Sequence, residues 1–285
     1  MNALVNLGLP VLIMLGMVLV GLELTAADLR RVLHYPLHIA AALAGQVLVL
    51  PLIAAALILS LDLPPAVAGG LVLVAAAPQA ASSNVFCLLA RSDVALSVTL
   101  TAVSSLLAVL VTPLLAAVMF RSLLEQGAGF SVPALKVMQQ VATGLLLPVA
   151  AGMLARHRFP SWAARNRGGL KAFGLTALLL MLGLLVVDQA AAIAGNFQTI
   201  VLSALLFTTA AATLGFSLAM AFGWGRQDAV TLVSAFPSRS LSLATLLAVN
   251  VLERREFLSF AVVFFLVQSA VLVPTMLFAR GASRS

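Results

Sequence analysis

The chain alternates between long apolar stretches and short polar breaks, and this pattern predicts nine membrane-spanning helices. A spanning helix needs about 20 mostly apolar residues. The apolar runs are continuous and do not alternate with polar residues, which favours helices over the strands of a membrane barrel. The predicted spans are residues 4–24, 37–60, 66–90, 94–120, 136–155, 170–187, 198–222, 229–251 and 257–279. The sequence therefore predicts an all-α membrane protein.

The composition indicates that lipid surrounds most of the chain. Of its 285 residues, 62% are hydrophobic and 9% are charged, and the mean hydropathy is +1.15. A soluble domain carries about a quarter charged residues, so too few polar side chains are present here to cover a water-exposed surface. These values exclude a soluble enzyme, a nucleic-acid-binding module and a disordered protein.

The basic residues are unevenly distributed between alternate loops. If the N-terminus lies outside, eleven Lys and Arg residues fall on the inner side and four on the outer side. Inner loops of membrane proteins are enriched in Lys and Arg. No basic residue precedes the first apolar run, which argues against a cleaved signal peptide. We therefore expect an integral plasma (inner) membrane protein with its N-terminus outside and its C-terminus in the cytoplasm.

Two of the predicted spans contain a proline and a polar cluster near their middle. Pro78 interrupts segment 66–90, and Pro237 interrupts segment 229–251. The polar residues beside them are Gln79, Ser82, Ser83 and Asn84 in the first, and Ser238, Arg239, Ser240 and Ser242 in the second. Proline breaks a helix, and Ser or Asn favours the N-cap of a helix that restarts. Each span is therefore predicted to form two half-helices with unwound backbone between them.

Each interrupted span is followed by a similar helix that we expect to end at a proline, Pro113 or Pro274. This similarity predicts a duplication, with a first repeat of about 4–120 and a second of about 136–279, inside one transmembrane unit of residues 1–285. The two interrupted spans enter the membrane from opposite sides, so the repeats are inverted. Inverted repeats with discontinuous helices are typical of secondary transporters, whose site lies at the midplane. The alternative is that the prolines only kink two packed helices.

The polar residues around the two breaks form the candidate site. Unwound backbone at this depth is tolerated only where it is buried in protein or lines a cavity. Ser97 and Thr101 lie four residues apart on the helix after the first break and share a face, and Gln46 lies inside another span. The candidate substrate-binding residues are Ser83, Asn84, Arg239 and Ser240.

Arg239 is the single residue that most clearly indicates a functional site. A cation near the membrane centre is costly and is rarely without a function, and no Asp or Glu lies mid-span to neutralise it, since Glu23 is near the inner end of its span. A guanidinium suits carboxylate, sulfate or phosphate groups. Two roles remain open, and they can coexist: Arg239 binds an anionic ligand, or it caps the carbonyls that the broken helix leaves free.

Other chemistry-bearing residues predict no further site. His34, His38 and His157 are too scattered to bind a metal, and a single cysteine, Cys87, excludes an intramolecular disulfide. We find no phosphate-binding loop and no pairing of nucleophile and base. The chain is therefore predicted not to be an enzyme, and to use no cofactor, with sodium as the one doubtful exception.

Two stretches, GLELTAADLRRVLHYP and PQAASSNVFCLLARSDVALSVTLTAVSSLLAVLVTPLL, together with the second interrupted span resemble the bile acid:sodium symporter family. The resemblance runs in register from about residue 8 to 280. It implies inverted five-helix repeats divided into a core and a panel, with the broken helices crossing in the core in front of the sodium sites. This chain resembles the nine-helix form, which lacks the family's first helix. The implied substrates are bile acids, steroid sulfates and smaller organic anions.

Carried over residue by residue, the resemblance is partial. It assigns one sodium site to Ser83, Asn84, Ser97 and Thr101, and a ligand of the second to Gln46. Two further ligands are replaced, a glutamate by Ala235 and a glutamine by Arg239. An arginine about 4 Å from a sodium ion costs on the order of 4 kcal/mol at an effective dielectric of about 20. We therefore expect Arg239 to stand in place of the second sodium ion.

The sequence thus predicts a secondary transporter of small or amphipathic organic anions that works by alternating access, with weakened or absent sodium coupling. Its expected partners are an organic anion and the lipid bilayer, and not nucleic acid. Two alternatives remain: a true sodium symporter that uses one residual sodium site, and a membrane receptor that binds without transporting. The sequence makes no prediction of the oligomeric state.

Overall fold

The structure is a computed structural model that describes residues 2–23, 36–124 and 133–281. Within these ranges the ordered elements are helices, and no β-strand is present. They are α1 (Asn2–Glu23), α2 (Pro36–Ser60), α3 (Pro65–Ala76), α4 (Ser82–Ala90), α5 (Val94–Leu123), α6 (Ala134–Arg158), α7 (Pro160–Arg165), α8 (Arg167–Asp188), α9 (Ala190–Ala221), α10 (Arg226–Ala235), α11 (Leu241–Asn250) and α12 (Leu258–Gly281). The predicted all-α class is confirmed.

Half of these helices have the length and composition of membrane spans. In the part of the chain that the structure describes, six are long and apolar enough to cross a membrane: α2, α5, α6, α8, α9, and α12 with the 3₁₀ turn before it. Shorter apolar helices include α3 and α11. Large apolar side chains cover the outside, such as Leu110 and Leu114 on α5. A surface of this kind requires lipid around it, so the chain is an integral membrane protein.

Both predicted spans are interrupted in the structure at the positions that Pro78 and Pro237 predict. Residues 77–81 separate α3 from α4, and residues 236–240 separate α10 from α11. The two unwound stretches lie against each other as a short antiparallel bridge. The Ala80 N–H donates to the Ser238 carbonyl at 2.9 Å, and the Ser240 N–H donates to the Pro78 carbonyl at 3.0 Å. Each unwound stretch therefore satisfies some of the backbone hydrogen-bonding groups of the other.

Helices α2 and α6 each contain one wider π-helical turn. These turns are Gly45–Val49 and Ala142–Leu146, and each is followed closely by a proline, Pro51 or Pro148. Proline has no N–H to donate, so the regular hydrogen-bond ladder cannot continue through it. The turn in α2 carries Gln46, whose side chain is buried. Such turns are often found at functional sites.

Two boundaries differ from the sequence prediction. The polar break expected between residues 188 and 197 is largely helical, because α9 already begins at Ala190 and only Asn196 within it has non-helical angles. Its alanine-rich start favours helix. The helices after the breaks do not end at their prolines: α5 continues past Pro113, and α12 continues past Pro274. Neighbouring helices allow a proline inside a membrane helix.

The predicted Ser and Asn caps are right for one break and wrong for the other. Helix α11 starts at Ser240, whose Oγ accepts from the Leu243 N–H at 3.3 Å. Helix α4 starts after Ala81 without a side-chain cap. The reason is that Ser83 and Asn84 direct their side chains to another helix, as described below.

Some residues used in the sequence analysis lie outside the described residues. They are His34 and three of the eleven basic residues counted on the inner side, Arg30, Arg31 and Arg284.

Glycines bring α1 and α6 into backbone contact. A Cβ on Gly152 would overlap the carbonyl of Val18, and one on Gly21 would overlap that of Val149. Small residues at such positions let membrane helices approach closely. By contrast, Gly183 on α8 has open space at the Cβ position.

We predict that Gly152→Leu lowers the free energy of unfolding by about 1–3 kcal/mol, because the new side chain forces α1 and α6 apart. Gly183→Leu is the matched control and should leave the unfolding midpoint unchanged or slightly raised. Thermal unfolding of both purified variants in detergent provides the measurement. Equal midpoints for the two variants would contradict the proposed backbone contact.

Candidate functional site

The end of α3 leaves carbonyl groups that its own helix cannot satisfy. The last four carbonyls of a helix lack intrahelical partners, and here they lie in the interior beside the first break. Arg239, in the opposite break, donates through Nε to the Val74 carbonyl at 3.5 Å and through Nη2 to the Ala75 carbonyl at 3.1 Å. Nη2 also donates to the Ala77 carbonyl. A cation at this position also complements the negative end of the α3 dipole.

A second helix completes this cap. The Thr112 hydroxyl on α5 donates to the Ala76 carbonyl at 2.8 Å, so donors from outside α3 meet each carbonyl from residue 74 to 77. The Arg239 side chain is 5% exposed, and within the described residues no carboxylate pairs with it. Of the two roles left open by the sequence, the geometry supports capping of the broken helix.

Arg239 also contacts the π-helical turn of α2. Its Nη1 donates to Gln46 Oε1 at 3.3 Å. The guanidinium is therefore surrounded by one amide oxygen and by the carbonyls at the end of α3. An oxygen-lined site of this kind could hold a small cation, and here the cation is part of the chain.

A second polar cluster joins α4 to α5 and contains the residues that the resemblance assigns to one sodium site. Ser83 Oγ and Ser97 Oγ lie 2.9 Å apart, and Ser97 donates to Asn84 Oδ1 at 2.8 Å. Thr101 lies one turn further along α5 and donates to the Ser97 carbonyl at 2.9 Å. All four residues are buried. Gln46 is not part of this cluster and lies on the Arg239 side.

Gln79 connects the two clusters, and sequence reasoning missed its role. Its Nε2 donates to Ser83 Oγ at 2.9 Å, to Thr101 Oγ1 at 3.2 Å and to the Ser97 carbonyl at 3.3 Å. Its Oε1 accepts from Gln46 Nε2 at 2.9 Å. The sequence placed Gln79 among the polar residues of the first break but gave no reason to rank it first. The available signal was its position directly after Pro78.

The remaining candidates have structural surroundings. Ser240 caps α11, and Ala235 is fully buried at the end of α10, where its methyl group supplies no ligand. Cys87 is buried and lies 3.2 Å from Ser234 Oγ. His38 stacks on Trp224, and the described residues contain no cluster of His, Cys, Asp and Glu that could hold a metal ion.

A small crevice between α2, the first break and α5 reaches the Arg239 cluster. Its polar lining is Gln46, Ser104, Thr112 and Arg239, and the rest is apolar. The internal volume of about 20 Å³ has room for roughly one water molecule. Ser83, Asn84 and Ser240 do not line it. In this conformation the crevice is too small for an organic anion.

These features define a membrane protein whose interrupted helices meet through polar side chains in its interior. Residues 10–196 match the sequence profile of the Sodium Bile acid symporter family, and the chain belongs to this family. The resemblance drawn from the sequence is thereby confirmed. The family consists of membrane transporters, so the prediction that the chain is not an enzyme is confirmed as well.

Three curated relatives show the extent of the similarity. The chain is 30% identical to the "Uncharacterized sodium-dependent transporter YocS" of Bacillus subtilis, over 68% of this chain and 56% of the relative. It is 28% identical to the "Probable sodium/metabolite cotransporter BASS2, chloroplastic" of Oryza sativa, over 81% and 54%. It is 31% identical to the corresponding BASS1 protein of Arabidopsis thaliana, over 74% and 50%. The chain thus spans about half the length of the curated relatives that it matches.

We predict that Arg239→Met destabilises the protein by at least about 2 kcal/mol, because the carbonyls of Ala75 and Ala77 lose their donor in a buried site. Arg121→Met, at an exposed position on α5, is the control and should change the unfolding midpoint little. Thermal unfolding of the purified variants gives the comparison. If both variants unfold at the wild-type temperature, Arg239 does not cap α3.

Proposed function

We propose that this chain is a secondary transporter of small or amphipathic organic anions that works by alternating access without obligatory sodium coupling. Family membership supports transport and a small-molecule substrate. The observation that carries the coupling proposal is the position of Arg239, whose guanidinium lies among Gln46 Oε1 and the carbonyls of α3. The resemblance assigns Gln46 to the second sodium site, so this guanidinium takes the place of that ion.

The packing of the helices supports a division into panel and core. Helix α1 contacts both α6 and α8, and the interrupted helices contact α5 and α12, while α9 packs on α10 and α12. We assign the first group to the panel and the second to the core, within two inverted repeats of about 4–120 and 136–279. In this scheme the protein has nine spans, and rocking of the core against the panel exposes the crossing to each side in turn.

An electrostatic argument supports sodium independence at the second ion position. A sodium ion beside Arg239 would meet repulsion on the order of 4 kcal/mol, which corresponds to roughly a thousandfold loss of affinity. Ala235 supplies no carboxylate to offset this loss. An organic anion, in contrast, is attracted by the same positive charge. The substrate contacts that we propose are Arg239 and Ser240 in the second break, and Ser83 and Asn84 after the first.

A sodium symporter with one residual ion site is the second candidate. It is favoured by the close contact of Ser83, Asn84, Ser97 and Thr101 and by the printed names of the relatives, which include sodium-dependent transport. A receptor, which would bind the anion without moving it across the membrane, is the third candidate function.

We predict that proteoliposomes containing the wild-type protein take up a labelled organic anion equally well in sodium chloride and in choline chloride. Candidate anions come first from a thermal-shift screen of carboxylates, sulfonates and sulfated steroids. Liposomes without protein are the control for leakage. Uptake that stops when sodium is replaced by choline would reject the coupling proposal, and binding without uptake would identify a receptor.

The double variant Arg239→Gln/Ala235→Glu should acquire sodium dependence, because it removes the fixed cation and restores a carboxylate at the same crossing. We expect its uptake in sodium to exceed that in choline by at least about tenfold, a difference that corresponds to 1.4 kcal/mol. Arg121→Gln serves as the control for loss of a basic residue. A double variant that transports equally in both salts would contradict the assigned role of Arg239.

The charge distribution supports an orientation with the N-terminus outside and the C-terminus in the cytoplasm, in the plasma (inner) membrane. We predict that green fluorescent protein fused to the C-terminus is fluorescent and that periplasmic alkaline phosphatase fused there is inactive. Fusions after Leu61, in the predicted outer loop between α2 and α3, should show the reverse result. The opposite pattern at both positions would invert the proposed orientation.

A further inference from the structure

The hydroxyl groups around Gln79 direct their protons away from it. Thr101 donates its proton to the Ser97 carbonyl, and Ser97 donates its own to Asn84 Oδ1. Ser83 has the Ala80 carbonyl at 2.8 Å and Ser97 Oγ at 2.9 Å as acceptors. A hydroxyl has one proton and two lone pairs. The lone pairs of Ser83 and Thr101 are therefore free to face the point between them, as they would around a cation.

The amide nitrogen of Gln79 occupies this point. It lies 2.9 to 3.3 Å from Ser83 Oγ, Thr101 Oγ1 and the Ser97 carbonyl, and its two protons carry partial positive charge. Gln79 is 1% exposed. The backbone also holds it in place, because the Gln79 N–H donates to Ser104 Oγ at 3.2 Å.

Arg239 determines which end of the Gln79 amide faces the cluster. A guanidinium can only donate hydrogen bonds, so Gln46 must present Oε1 to Arg239 and Nε2 to Gln79. Gln79 must then accept with Oε1 and point Nε2 at Ser83 and Thr101. The fixed positive charge thus orients two amides in sequence, and the direction of the whole hydrogen-bonded chain follows from one residue.

We infer that Gln79 is the built-in occupant of a latent monovalent-cation site formed by Ser83, Ser97 and Thr101. Arg239 and Gln79 then fill both oxygen-lined positions with N–H donors that belong to the chain. The inference rests on the proposed function, which treats these positions as counterparts of sodium sites. It goes further, because it also excludes the residual sodium site and names the side chain that closes it.

The test measures sodium binding directly. Purified full-length protein is titrated with ²²Na⁺, and thermal unfolding is compared in sodium, potassium and choline chloride at equal ionic strength. Gln79→Ala removes the amide and leaves an oxygen-lined space. Gln79→Glu keeps the shape and the acceptor for Gln46 but replaces the N–H donors by a carboxylate oxygen. We expect sodium-selective, saturable binding by one or both variants that is at least about tenfold tighter than that of the wild type, with a matching rise in the midpoint.

The matched control is Gln268→Ala, which removes another fully buried glutamine, on α12. It should bind no more sodium than the wild type. Tight sodium binding by the wild type, or no sodium binding by either Gln79 variant, overturns the inference. The uptake of organic anions is measured separately on the wild type. If the wild type takes up no organic anion but the Gln79 variants gain sodium binding as expected, the transport proposal alone is rejected. If the wild type takes up the anion but sodium binding contradicts the expectation, this inference alone is rejected.

Discussion

The interruption of two membrane helices creates unsatisfied backbone groups where water is scarce, and the rest of the interior is arranged to satisfy them. Each unpaired carbonyl buried away from water costs about 1–3 kcal/mol. Here the two breaks bond to each other through Ala80 and Ser240, and Arg239 reaches across to the end of α3. The cap and the crossing are therefore one structure, since the residue that closes the first helix comes from the break in the second.

This dependence explains why Arg239 is tolerated in the interior of the protein. A lone cation there is costly, but its donors are used by the carbonyls of α3 and by Gln46. The charge also sets the orientation of the amides beyond it. Hydrogen bonds in such a chain polarise one another, so substitutions at Arg239, Gln46 and Gln79 should have effects that do not add.

The sequence predicted the features that depend on local pattern. Pro78 and Pro237 break their helices through a missing donor and a fixed backbone angle, and both effects act within a few residues. The position of Ser97 and Thr101 on one face of a helix followed from their spacing. The same pattern placed Ser83 and Asn84 beside the first break and made them helix caps, but the structure uses them in a cluster with α5 instead.

The role of Gln79 could not be predicted in this way. Its partners lie on α2, α4 and α5, so the contacts exist only after the helices have packed. The break expected between residues 188 and 197 is wrong for a different, local reason, because the alanine-rich segment that begins at Ala190 favours helix. Periodicity and proline positions thus locate the breaks, whereas the choice of residue that fills the space between them is a property of the folded chain.

The guanidinium of Arg239 has a thermodynamic consequence for the proposed carrier. A soluble ion that binds on one side and dissociates on the other links its own gradient to that of the cargo, but a charge covalently attached to the protein returns with it in every cycle. Such a carrier cannot draw on the gradient of a second ion to accumulate its cargo. It would equilibrate its anion according to concentration and membrane potential, and the direction of net flow would be determined by the metabolism that produces or consumes the anion.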